Sequence, residues 1–212
     1  MLAARYALFI RDSGNGYPIR IILEDIYSSQ AYDEPTIEFQ LGKIVVSAES
    51  YRGEIPTSGE ACLNISQNYP LYVIDYFLRV AAAQQAYLSG GLLFHGAGIV
   101  HQDKGYIFYG HSGSGKTTVC ALSPDDLVLN DDLLVLMPGE HGWLAYATPF
   151  WNPTQVKPNN RSAQIYSFYR LVKDQSVFLK PMSPAQAVSE MIANTPVITG
   201  DPANLPVVLE RC

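Results

Sequence analysis

The segment Tyr106-Ile107-Phe108-Tyr109-Gly110-His111-Ser112-Gly113-Ser114-Gly115-Lys116-Thr117 joins a short apolar run to the pattern G-x-x-x-x-G-K-[ST]. The chemistry behind that pattern is specific. A strand delivers the chain to a loop whose glycines let successive backbone N–H groups turn inward around phosphate oxygens. The helix that follows aims its positive dipole end at the same phosphates. Lys116 is expected to reach the β- and γ-phosphates, and the Thr117 hydroxyl to ligate Mg²⁺. With glycine near 7% of residues, a chance match in a chain this long is roughly a one-in-a-hundred event. The stretch therefore predicts a nucleoside triphosphate site built from Gly110, His111, Ser112, Gly113, Ser114, Gly115, Lys116, Thr117 and Thr118.

A phosphate loop of this kind needs a carboxylate for the metal, and phosphoryl transfer needs a base for the acceptor hydroxyl. Leu127–Leu129 reads as the next buried strand and ends at Asn130-Asp131-Asp132. If it lies parallel to and beside Tyr106–Tyr109, joined by a short helix from Lys116, both strands end on one sheet edge. Ligand sites gather at such carboxyl edges. Asp125-Asp126 precedes the same strand and reads as a solvated turn. His95, fifteen positions before Gly110 and just after Leu92-Leu93-Phe94, is a further candidate.

Outward from this centre, residues 1–67 read as strands and turns. Ala4–Ile10 and Ile19–Leu23 flank a turn signal at Ser13–Gly16, Ile37–Leu41 alternates at period two across Gly42 from Lys43–Ser47, and Cys62–Ile65 is a further short strand. From Pro70 to Leu88 the period changes to that of a helix, with Leu71, Ile74, Leu78, Ala81, Ala82 and Leu88 as the apolar stripe and Gly90-Gly91 as the stop. Gln102–Gly105 reads as a hairpin turn. Thr148–Arg161, rich in Pro and Asn, reads as a long loop in which Phe150 and Trp151 are available to contact an acceptor or to pack on the sheet. Two apolar runs follow, Ile165–Val172 and Ser176–Leu179. Ser183-Pro184-Ala185-Gln186 has the form of a capping box that starts a helix ending near Asn194. The expected class is α/β, a mixed sheet with flanking helices, divided as a β-rich part over 1–67 and a P-loop core over 68–212.

Composition narrows the partners. The 212 residues carry a formal net charge of −6 and no Lys/Arg run, which argues against nucleic acid. Asp75 and Arg79 interrupt the best candidate for a membrane span. The N-terminus lacks the pattern of a cleaved leader, and three dispersed cysteines, Cys62, Cys120 and Cys212, fit a reducing, cytoplasmic setting.

Taken in order, Leu93-Phe94-His95-Gly96, the strand entering Gly110, the P-loop and Leu129-Asn130-Asp131-Asp132 resemble the catalytic domain of HPr kinase/phosphorylase. Weaker similarity runs through Asn160–Ala163 and the Ser183–Ala185 helix. The resemblance implies a fold related to phosphoenolpyruvate carboxykinase, here with an N-terminal β-rich extension. It implies ATP or another nucleoside triphosphate with Mg²⁺ as cofactors, and an active-site role for His95. One of Asp131 and Asp132 would receive the proton of a seryl hydroxyl and the other would help hold the metal, with Thr117 and Asp132 taken as the metal set. The family's extended C-terminal signature, with its arginine, has no counterpart here, and Arg161 stands as the substitute for neutralising phosphate charge. In length the chain is similar to the small HPr-kinase-like proteins of peptide-modification systems. The implied acceptor is then a hydroxyl on a peptide or small protein, and by analogy with related kinases the implied assembly is a homo-oligomer.

Overall fold

A computed structural model of the chain describes residues 6–10, 16–24, 35–49, 51–66, 71–151 and 156–212. The protein is mixed α/β, with two mixed sheets and flanking helices. It divides into two compact units, Arg11–Leu88 and Met1–Ile10 with Ser89–Cys212. No described helix is long and apolar enough to cross a membrane.

The first unit holds a five-stranded sheet. Its strands are β1 (Ile19–Glu24), β2 (Thr36–Gln40), β3 (Lys43–Ala48), β4 (Tyr51–Pro56) and β5 (Ala61–Ser66), in the order β1-β5-β4-β3-β2. The β2–β3 hairpin turns at Gly42, where φ is +78°, as the alternation predicts. Among the described residues, Ile19–Leu23 does not pair back across the turn signal at Ser13–Gly16. Ala7–Phe9 is a 3₁₀ turn, and β1 instead pairs parallel with β5; the turn at Ser13–Asn15 lies outside the described residues. Helix α1 (Leu71–Leu88) packs in this unit. The residues it buries completely are Val73, Phe77, Val80 and Ala83, whereas Leu88 is exposed and Leu78 and Ala82 are half-buried. Sheet contact explains the difference: Phe77 occupies the space over Gly53 of β4, where even a Cβ would come within 2.3 Å of its ring. Asp75 and Arg79 form an i,i+4 ion pair of 2.9 Å.

The second unit is built on seven strands: β6 (Leu92–His95), β7 (Ala97–His101), β8 (Lys104–Tyr109), β9 (Leu127–Asn130), β10 (Leu133–Gly139), β11 (Gly142–Ala147) and β12 (Ser162–Arg170). Their order is β6-β10-β11-β12-β8-β7-β9, and of the neighbouring pairs only β12–β8 is parallel. Helices α2 (Lys116–Ala121), α3 (Pro184–Ala193) and α4 (Leu205–Arg211) flank it. The β7–β8 turn closes on Gln102 and Asp103, both at positive φ, the geometry a two-residue hairpin demands. Ser183 caps α3 through the Gln186 N–H at 3.3 Å. Ser176–Leu179 forms no strand, and Val177 and Leu179 are exposed.

One expectation of topology is corrected. β8 and β9 are not neighbours, because β7 lies between them and runs antiparallel to both. Two reversals leave β8 and β9 parallel to each other, so their carboxyl ends still share an edge. The register puts Phe108 opposite Ala97, and Asn130 opposite Gly98. β12 is a bent strand: its first residues pair with β11, its later ones with β8, and the register shifts between Ile165 and Ser167. The bend curls the sheet around a core of Phe94, Ile107, Tyr109, Leu129, Leu134, Leu136 and Ala145.

Candidate active site

The chain crosses between the two ends of the strand order twice in this unit. Gly96 alone joins β6 to β7, and Asp131-Asp132 joins β9 to β10. The two crossings lie side by side, with the Gly96 N–H donating to the Asp132 carbonyl at 3.0 Å. A side chain at Gly96 would meet the Phe94 ring at 3.0 Å and the Phe108 carbonyl at 3.1 Å, so the close approach favours glycine. The P-loop leaves β8 beside them.

Three P-loop glycines hold positive φ: Gly110 at +147°, Gly113 at +76° and Gly115 at +111°. Gly113 and Gly115 have open space around a notional Cβ, so backbone conformation alone selects glycine there. Gly115 begins α2, whose first hydrogen bond runs from the Val119 N–H to the Gly115 carbonyl at 2.9 Å. The amides of Lys116, Thr117 and Thr118 therefore have no intrahelical acceptor. Lys116 is only 8% exposed, and its Nζ donates to the Gly110 carbonyl at 2.7 Å. Burial lowers its pKa, while Asp132 and Asp131 push it back up.

The acidic pair occupies two different environments. Asp131 is 2% exposed, and neither carboxylate oxygen closes a hydrogen bond among the described residues. Burial raises its pKa; the nearby Thr117 hydroxyl favours the charged form, Asp132 opposes it, and Lys116 favours it. The Thr117 influence and the unpartnered oxygens are compatible: the hydroxyl lies close to the carboxylate without meeting hydrogen-bond geometry. Asp132 is half-buried, and its Oδ1 lies 3.5 Å from His95 Nε2. His95 is itself held by its backbone, which donates to the Asn194 carbonyl at the end of α3 at 2.7 Å.

His95, Ser112, Gly113, Gly115, Lys116, Thr117, Thr118, Asp131 and Asp132 together line one cavity of about 320 Å³. That is the size of a small-ligand site. Gly110, His111 and Ser114 belong to the loop without lining the cavity, and His111 is exposed. Arg161 is not in the wall. It stands just before β12: its carbonyl accepts from Ala147, and strand registers set His95 against Leu133, Leu134 against Ala147, and Tyr146 against Ser162. It thus lies about two strand spacings, or roughly 10 Å, from the start of β10, with its side chain exposed.

Other residues carry no motif signal and emerge only in three dimensions. Asn130 and Thr148 bind the acidic corner from below. Arg170, at the P-loop end of β12 opposite Tyr109, pairs with Glu190 of α3 at 2.8 Å. Phe150 is 5% exposed and packs, which removes it as an acceptor contact. Trp151 is half-buried, and 152–155 of the same loop lie outside the described residues. The Cys120 thiol, on α2, is buried against Ala97, Ile99 and Val128, and that burial pushes its pKa up to about 12, so it is inert packing.

Neither a scan against protein-family models nor a search of curated proteins finds a match to this chain.

Proposed function

We propose that this protein is a P-loop phosphotransferase of the HPr-kinase-like type. It transfers the γ-phosphate of ATP, or another nucleoside triphosphate, to a serine or similar hydroxyl on a peptide or small protein. The observation that carries the reading is the convergence of Lys116, Thr117, Asp131, Asp132 and His95 on one cavity. The order of these residues along the chain, discussed above as a resemblance, supports the same family and its carboxykinase-like fold.

The residues present fit the two cofactors. Three glycines at positive φ and the amides that begin α2 suit a polyphosphate. The unpartnered buried oxygens of Asp131, beside the Thr117 hydroxyl, suit a small hard cation. Among the described residues no group of three or more His, Cys, Asp or Glu is arranged as a metal cage. Mg²⁺ in kinase sites uses one or two carboxylates together with substrate phosphates, so the donor set is of the expected kind. When bound, the metal would neutralise charge on the phosphates.

The geometry favours a division of labour that differs from the Thr117–Asp132 metal set. Asp131, buried next to Thr117, is the metal-side carboxylate. Asp132, more exposed and 3.5 Å from His95, is the acceptor-side carboxylate that takes the hydroxyl proton at its Oδ. His95 orients Asp132. Lys116 holds the β/γ-phosphates, and Arg161, exposed just before β12, is the candidate for a further positive charge.

The test is transfer of labelled γ-phosphate from ATP and Mg²⁺ to a serine-containing peptide library, alongside Lys116→Ala, Asp131→Asn and Asp132→Asn. Label on a hydroxyl that disappears in all three variants is the expected result. Tight ATP binding without transfer to peptides, amino acids or metabolites would sink the transferase reading and leave a nucleotide-gated scaffold.

A further inference from the structure

Asn130 is completely buried, and every hydrogen-bonding atom of its amide is used. Its Oδ1 accepts from the Asp132 N–H at 2.7 Å and the Leu133 N–H at 3.2 Å. Those two backbone donors fix which end of the amide is oxygen. Its Nδ2 then points the other way, donating to the Thr148 carbonyl at 2.9 Å, the Thr148 hydroxyl at 3.2 Å and the Phe150 carbonyl at 3.3 Å. Thr148 completes the ring of contacts. Its hydroxyl donates to the Leu133 carbonyl at 2.7 Å and accepts from the Phe150 N–H at 3.3 Å. One amide therefore ties two pieces of chain together: the acidic corner on one side and the first residues of the 148–160 loop on the other.

We infer that Asn130 is a positioning residue that locks the Asp131-Asp132 corner to the start of the 148–160 loop, so that the two move as one body. The inference rests on the phosphotransferase reading for its chemical meaning, and on the hydrogen-bond network alone for its mechanics. The carboxylate oxygens of Asp131 close no hydrogen bond among the described residues, and Asp132 Oδ1 lies 3.5 Å from His95 Nε2. The backbone that carries both carboxylates is held by Asn130 through the Asp132 and Leu133 amides. Asparagine is the residue that serves: its oxygen closes the local turn while its NH₂ reaches across to a second segment. An aspartate would keep the first function, lose the second, and add a third negative charge beside the pair. Thr148 and Phe150 are thereby coupled to the carboxylates through Asn130. A peptide that engages Trp151, the next residue, would act on the group that receives its proton.

The experiment uses the full chain with Asn130→Ala, Thr148→Val and Thr148→Ser. Hydrogen exchange is read at the Asp132, Leu133 and Phe150 amides against Ile107 in β8. Phosphoryl transfer is measured separately as kcat, the KM for ATP and half-saturation by Mg²⁺. For Asn130→Ala and Thr148→Val the expected result is faster exchange at all three amides with Ile107 unchanged. Residues that orient metal ligands typically cost about 10–100-fold when lost, and that loss is expected in kcat and in Mg²⁺ half-saturation, with the KM for ATP held. Thr148→Ser, which keeps the hydroxyl, restores both. Exchange that rises evenly through the sheet, or at the corner but not at Phe150, overturns the inference. So does a kcat per folded molecule that does not change in a wild type that transfers phosphate. If the wild type transfers none, the phosphotransferase reading falls, and the exchange contrast still decides whether Asn130 locks corner to loop.

Discussion

Replacing Asp131 with asparagine should make the protein more stable and less able to bind its nucleotide. The carboxylate is 2% exposed and its oxygens have no hydrogen-bond partner among the described residues. Burial, the largest influence, lifts its pKa above the ordinary value, and the Asp132 charge adds to the lift. A folded pKa above the unfolded one means that the native state holds the proton more tightly. Stability therefore falls as pH rises from the unfolded to the folded value and stays low above it. Each unit of that displacement costs about 1.4 kcal/mol at neutral pH. The amide keeps the size and the polar burial and removes only the charge. Lys116 loses one of its two carboxylate neighbours, which offsets part of the gain. A net gain on the order of 1 kcal/mol is expected, the usual size of a single-residue effect.

For a chain of this size that gain is a rise in Tm of about 2–4 °C at pH 7. The gain should shrink as pH falls through the folded pKa of Asp131, because the wild-type side chain is then neutral too. Mg·ATP reverses the order. At 100 times Kd it stabilises the wild type by about 2.7 kcal/mol, while the variant, lacking the metal-side carboxylate, gains little. Thermal unfolding at two pH values, with and without Mg·ATP, tests all of this in one series. A variant that is less stable at pH 7, or a difference that does not change with pH, refutes the account of Asp131 as a strained, unpartnered anion.

Asp132→Asn should leave ATP binding intact and lower kcat by about 10²–10⁴-fold, the range for loss of a general base, as measured by labelled-phosphate transfer. Lys116→Ala should abolish nucleotide binding by calorimetry while leaving the fold intact by circular dichroism, since burial already disfavours the charge on Lys116. Gly96→Ala should cost about 1–3 kcal/mol in denaturant unfolding, because the new methyl group meets the Phe94 ring and the Phe108 carbonyl. Phe150→Ala should lower stability by about 3–5 kcal/mol as a core truncation, whereas Trp151→Ala should act on the KM for the peptide acceptor.

Much of the site was legible because the loop chemistry is local. A glycine at positive φ before Lys116 is required wherever this loop occurs, and the pattern announces it within eight residues. His95 and the acidic pair were legible as ends of strands, and the shared edge survived although the sheet order did not. No local signal reveals that β7 lies between β8 and β9, since a strand's neighbours depend on pairing across the whole unit. The buried stripe of α1 was legible only in part: Ile74 and Ala81 are buried as expected, but Phe77 gains its place because Gly53, twenty-four residues earlier, leaves room for its ring. Asn130 looked like part of a turn. Its role depends on Thr148 and Phe150, eighteen and twenty positions away.

The strongest physical argument for a ligand at this place lies in the contrast between the wall of the cavity and what supports it. The support is satisfied: Asn130, Thr148, the Gly96 amide and the His95 amide each have named partners at ordinary distances. The wall and the loop that bears it are not. Asp131 has two buried oxygens without a partner, and the neighbouring Ser114 hydroxyl is also buried without one. Lys116 sits where burial lowers its pKa, and the loop before it carries three glycines in the left-handed half of backbone space. Buried polar groups without partners are rare because each costs free energy. A protein that satisfies this frame and leaves Asp131 and Ser114 unsatisfied puts part of that cost at the site. A polyanion with its metal ion offers what is missing there: a counter-charge for Lys116, acceptors for the α2 amides, and a cation for Asp131.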